Sequence, residues 1–132
     1  MQHHVISAIP RQNRPRRFDR VAVLGAGSWG TAVAATVAKA GVSTRIWGRD
    51  THVCDAINAR AENPRYLPGI PLPANLHAVH EMPAALDGAD AVAIIVPSRS
   101  VRSVSRQVAE YLSPTIPVAV CAKGIEAETG LL

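Results

Sequence analysis

Hydrophobic and polar positions change period several times along this chain, and each change marks an element. Val21 to Leu24 ("VAVL") is a short apolar, β-branched run that ends on glycine, which predicts a buried strand. Ser28 to Ala40 is rich in helix-forming alanine, with Val33, Val37 and Ala40 on one face and Gly41 as the stop. Thr44 to Trp47 reads as a second strand, and Asp50 or Thr51 caps a helix running to about Ala61. "ENPRYLPGIPLPANL" then places four prolines and a glycine in fifteen residues, so it is largely loop. Leu76 to Val79 is a weaker strand, and "EMPAALDGAD" a short helix followed by a turn. Ala91 to Val96 ("AVAIIV") is the strongest buried-strand signal. Ser100 to Tyr111 carries Val101, Val104, Val108 and then Leu112 at helical spacing, and Pro117 to Cys121 ("PVAVC") is a further buried strand. Near-continuous apolar strands alternating with helices predict an α/β fold, a doubly wound parallel sheet covered on both faces.

Length and charge narrow the picture. The 132 residues fit one domain. The net charge of +4 is uneven: residues 1–20 hold five arginines against one aspartate, while the rest balances nine basic against nine acidic side chains. The basicity belongs to a tail, expected to be disordered, ahead of a domain over 21–132. Nucleic-acid binding would need a basic face on the domain itself, so that class is set aside. No stretch reaches the roughly 20 apolar residues of a membrane span, and the first twenty lack the apolar core of a secretory leader. Two cysteines without paired spacing, Cys54 and Cys121, fit a reducing compartment, hence a cytoplasmic location.

The candidate chemistry sits in "VAVLGAGSWGTAVA", where Gly25, Gly27 and Gly30 stand at the spacing G-x-G-x-x-G. The spacing alone is common, but here the glycines follow a predicted strand and open a predicted helix, the context of a dinucleotide site. Gly25 permits the tight turn, Gly27 lets backbone approach a pyrophosphate, and Gly30 lets helix and strand pack closely. The helix N-terminus then offers free N–H groups and a positive dipole end to phosphate. At the end of the second strand, "RIWGRD" places Arg49 where many such folds hold an acid for the ribose 2′-hydroxyl. An arginine there suits a 2′-phosphate, which favours NADP over NAD.

Five segments taken in order, "GAGSWGTA", "WGRD", "NPRYLPGIPLP", "VPS" and "AKGIEAETG", resemble NAD(P)-dependent glycerol-3-phosphate dehydrogenase from Val21 to Leu132. The resemblance implies a Rossmann-type nucleotide-binding domain and reduction of dihydroxyacetone phosphate to sn-glycerol 3-phosphate, which feeds phospholipid synthesis. It implies that Ser28, Trp29 and Arg49 contact the nucleotide and that Lys123 contacts both cofactor and a small phosphate substrate; Pro97 and the backbone of Ser98, at the end of the strongest strand, are expected beside the cofactor from their position. Lys123 follows a central strand, where open α/β sheets bind ligands, and a cation there could hold a phosphate or polarise a carbonyl. The family's general acid/base is a lysine in a helical C-terminal domain further along. No catalytic residue is therefore expected within these residues, and the chain alone should bind nucleotide without turnover. An apolar patch facing that second domain would favour self-association, which leaves a homodimer open. Two other readings stay open: another 3-hydroxyacid dehydrogenase, which should not combine "NPRYLPG" with "KGIE", and a free-standing dinucleotide-binding sensor module.

Other signals receive plainer readings. His77 and His80 with Glu81 have metal-like spacing but lie in strand and loop without further ligands, so no metal site is expected. Cys121 reads as buried packing, Trp47 as core, and Lys39 as a complement to the first helix's C-terminal dipole. The arginines of "SRSVRSVSR" fall opposite the valines and read as a solvated helix face.

Overall fold

A computed structural model describes residues 17–122. Most of the basic tail and Lys123 lie outside the described residues. The elements follow in the order β1 (Arg20–Leu24), α1 (Ser28–Lys39), β2 (Ser43–Trp47), α2 (Thr51–Arg60), β3 (Leu76–Val79), α3 (Met82–Leu86), β4 (Ala91–Ile94), α4 (Ser98–Tyr111) and β5 (Val118–Val120). All neighbouring strands pair in parallel, in the spatial order β3-β2-β1-β4-β5.

The period-2 alternation of β1 divides the core. Val21 and Val23 face a cluster built with Ala34, Ala35 and Ala38 of α1 and Val53 and Ile57 of α2. Ala22 and Leu24 face the opposite cluster, with Met82 and Leu86 of α3 and Val104 and Val108 of α4. Two helices therefore cover each face of the sheet, as the strand pattern predicts. The chain winds outward from β1 to β3, then crosses back to place β4 on the other side of β1. That reversal opens a crevice beyond the C-terminal ends of β1 and β4, the usual ligand position in such sheets.

Local chemistry fixes the boundaries. Gly41 ends α1 with φ +91°, and its N–H donates to the Ala38 carbonyl (3.0 Å). Asp50 caps α2, accepting from the His52 and Val53 N–H groups. Asp90, at the turn into β4, accepts from the N–H groups of Asp19 and Arg20 (2.8 and 2.9 Å) and so fastens the start of β1. These two bonds hold its carboxyl below the ordinary value.

Three expectations are corrected. The buried face of α1 is made of Gly30, Thr31, Ala34, Ala35 and Ala38, with Val33 and Val37 only half-buried and Ala40 exposed; small residues let the helix lie close to the sheet. β5 is exposed at all three positions: among the described residues it pairs with β4 alone and no helix packs closely over it, whereas β3, at the other edge, is buried at Leu76 and Ala78 beneath α2. Cys121, just after β5, is exposed as well.

Candidate functional site

The crevice is a cavity of about 650 Å³, lined by the Gly25–Gly30 loop, the Trp47–Asp50 turn, Tyr66, Val96–Pro97, Arg99 and Cys121. Its floor is set by the three glycines, whose demands differ. Gly25 has φ +127°, and a Cβ there would run into the Ile95 carbonyl. A Cβ on Gly30 would run into the Gly25 carbonyl, so that glycine brings α1 onto the loop. Gly27 is different: its backbone is ordinary extended chain (φ −77°, ψ −171°) and a Cβ would meet nothing within 4 Å. Among the described residues neither strain nor packing requires glycine at 27. The space it leaves open belongs to the cavity.

Gly27 is also the cap of α1, and it supplies no side chain to the helix. The first intrahelical bond runs from Thr31 N–H to the Gly27 carbonyl (2.9 Å), which leaves the N–H groups of Ser28, Trp29 and Gly30 ahead of it. No acidic residue occupies the first turn. The positive dipole end of α1 therefore faces the cavity without a side-chain acceptor. Trp29 is 59% exposed at its rim, available to stack on a planar ligand.

Trp47, as expected, is buried, with Nε1 donating to the His80 carbonyl (3.2 Å). The Arg49 guanidinium lies over its ring, 5.8 Å from the centroid, which holds a cation at the cavity mouth. Asp50 is the one carboxylate among the described lining residues. Although partial desolvation acts upward, the Arg65 bond and the two cap N–H groups hold it below the ordinary carboxylate value, so it stays ionised.

The structure thus brings Gly25, Gly27, Ser28, Trp29, Gly30, Arg49 and Pro97 to one cavity. Three participants escape sequence reasoning. Arg99, expected on a solvated face, lines the cavity because α4 begins at Ser98, earlier than the valine spacing places it. Tyr66 reaches the rim from the proline-rich loop. Asn63, fully buried, donates to the Ala26 carbonyl (3.0 Å) and Thr31 Oγ1 (2.9 Å) and accepts from the Tyr66 N–H (3.1 Å), tying that loop to the glycine turn. No spacing rule announces a contact between residues 26 and 63. Its only signal is membership of "NPRYLPG".

His77 is exposed on β3, and His80 lies 4.0 Å from Glu81 at the surface. Among the described residues no group of His, Cys, Asp or Glu is arranged to hold a metal. No described helix is long and apolar enough to cross a membrane.

The family model described as NAD-dependent glycerol-3-phosphate dehydrogenase N-terminus matches residues 20–132. A glycerol-3-phosphate dehydrogenase [NAD(P)+] of Chelativorans sp. (strain BNC1) is 48% identical over 116 residues, covering 88% of this chain and 36% of that protein. The protein of the same name from Stenotrophomonas maltophilia (strain K279a) is 46% identical over 112 residues, 85% of this chain and 33% of its own. Among solved structures, glycerol-3-phosphate dehydrogenase from Coxiella burnetii superposes with a TM-score of 0.77 at 34% identity, over 83% of this chain and 34% of that one. The chain spans about a third of the length of the curated relatives it matches.

Proposed function

The chain belongs to the NAD-dependent glycerol-3-phosphate dehydrogenase family, and on that premise we propose that its cavity binds NADPH or NADH for the interconversion of dihydroxyacetone phosphate and sn-glycerol 3-phosphate. The observation that carries the nucleotide reading is Gly27. It is a glycine that the protein's own packing does not need, set before a helix N-terminus that no side chain caps. A pyrophosphate meets both conditions at once: it fits where a Cβ would stand and accepts the N–H groups of Ser28, Trp29 and Gly30.

From that anchor the remaining roles follow the lining. Arg49, held over Trp47, faces the ribose end, where a 2′-phosphate would pair with it; this favours NADP. Trp29 and Pro97 border the nucleotide. Lys123, outside the described residues, is assigned to cofactor and substrate by the family resemblance alone. The bound nicotinamide would supply the hydride. The protein's part is to anchor the phosphates, exclude water and orient the ring. Of these 132 residues we expect binding without turnover, since the resemblance places the acid/base lysine in a further helical domain.

Isothermal titration of the chain with NADPH and NADH tests the reading, paired with an assay of NADPH oxidation by dihydroxyacetone phosphate. Saturable one-to-one binding with no turnover above background is expected. Absence of binding to either nucleotide overturns the site, and steady turnover overturns the assignment of the acid/base group.

A further inference from the structure

Asp50 has a charge that does not suit a 2′-phosphate, and the structure deals with it from outside the cavity. Asp50 caps α2 one residue beyond Arg49, close enough to the ribose end that an open carboxylate there would favour a 2′-hydroxyl and repel a 2′-phosphate. Here each of its oxygens is already engaged. Oδ1 accepts from the N–H groups of His52 (2.9 Å) and Val53 (3.4 Å), and Oδ2 accepts from Arg65 Nη1 (2.7 Å). Arg65 does not line the cavity; it reaches Asp50 from the loop between α2 and β3. That loop is fixed by the buried Asn63 two residues earlier, and the Arg65 guanidinium rests over the Tyr66 ring, 5.1 Å from its centroid.

We propose that Arg65 is a positioning residue that sets cofactor specificity: by occupying the Asp50 carboxylate it leaves Arg49 as the unopposed charge at the ribose end and so favours a 2′-phosphorylated dinucleotide. The inference rests on the dinucleotide reading above and deepens it. The proline-rich loop selects the nucleotide through a contact made away from it. With Arg65 removed, Asp50 stays seated on the α2 N–H groups, and its Oδ2 becomes an acceptor facing the cavity.

The test is a comparison of Kd values for NADPH and NADH, at low ionic strength, in the full chain and its variants. Arg65 is exposed and Asp50 half-buried, with side chains 62% and 31% accessible, and a pair so open to water adds little to stability, so Arg65 can be replaced with the fold intact. Arg65→Met is expected to weaken NADPH about fivefold, the order of one charge a few ångströms from a phosphate at water-like dielectric, while NADH stays within about twofold or tightens. Arg65→Lys keeps the cation and should keep the wild-type ratio. Asp50→Asn retains the helix cap, and in the Arg65→Met background it should restore the NADPH preference. An unchanged ratio in Arg65→Met overturns the proposal. So does a loss that Asp50→Asn fails to rescue, which would mean that Arg65 touches the phosphate itself. A wild-type chain that binds neither nucleotide overturns the dinucleotide reading and this inference with it, a result no shift in ratio imitates.

Discussion

Replacing Gly27 by serine should make the protein more stable and a worse binder of nucleotide. Gly27 stands in extended backbone before α1, with open space where a Cβ would go and no side-chain cap on the helix. Serine adopts that conformation without strain, and its hydroxyl can accept the N–H of Trp29 or Gly30. Serine in place of glycine at a helix cap is worth a few tenths of a kcal/mol, and the loss of unfolded-state freedom adds roughly 0.4–1 kcal/mol. Together these give about 1 kcal/mol, a rise in Tm of about 4 °C for a domain of this size. The same hydroxyl takes an N–H group that the pyrophosphate would use and fills the space it would enter. A hydrogen bond to a charged group is worth about 1.5–3 kcal/mol, so NADPH affinity should fall by roughly 10- to 150-fold. Thermal unfolding by circular dichroism without nucleotide reads the first effect, and isothermal titration the second. Gly25→Ala is the contrast, since its φ of +127° and the Ile95 carbonyl oppose any side chain; it should cost about 3 kcal/mol or more. A Gly27→Ser variant several degrees less stable than wild type would refute the argument from open space. One that binds NADPH as tightly as wild type would refute the placement of the phosphates.

The buried amide of Asn63 joins two loops, so Asn63→Ala strands Thr31 Oγ1 and the Ala26 carbonyl; a loss of about 2–4 kcal/mol in chemical denaturation is expected, with faster hydrogen exchange at the bonded N–H groups of Gly25 and Thr31. The two thiols should separate under a disulfide reagent: exposed Cys121 reacts first, while Cys54, buried and with its thiol pushed up by that burial, reacts only on unfolding. NADPH should slow the reaction of Cys121, because that residue lines the cavity, and an unchanged rate would count against the site. Asp90 accepts two strand N–H groups and has a lowered pKa, so its stabilisation is complete above the ordinary carboxylate value and is lost as pH falls below about 4. Asp90→Asn should therefore flatten the dependence of Tm on pH in that range; an unaltered profile would mean that other groups control acid unfolding.

Much of this fold is legible in the sequence because a parallel sheet buried on both faces writes each strand as an apolar run and each crossover as a helical period. The strands predicted at Val21–Leu24 and Thr44–Trp47 stand within a residue of that pattern, while the one predicted over Ala91–Val96 stops two residues early, at Ile94. The glycine turn is legible too, since its spacing lies within six residues, although the Ile95 carbonyl that bars a side chain at Gly25 arrives from 70 positions away. What fails is whatever depends on position in the sheet. "PVAVC" has the composition of a central strand and becomes an exposed edge, for nothing in five residues records how many neighbours they will have. The valines of α1 suggest the buried stripe, yet close approach to the sheet selects the alanines. The bonds of Asn63 to the glycine turn and of Arg65 to Asp50 join residues 15 or more positions apart, beyond the reach of any periodicity.

The central claim is that phosphate binds at the uncapped start of α1, with the ribose end at Arg49. The direct measurement is an amide chemical-shift map of the isotope-labelled chain titrated with NADPH. Shifts concentrated at residues 25–30, 47–50 and 96–99, largest at Gly27 and Ser28, are the predicted result. Shifts on another surface, such as the exposed helix face around Arg106, or none at saturating nucleotide, would contradict it.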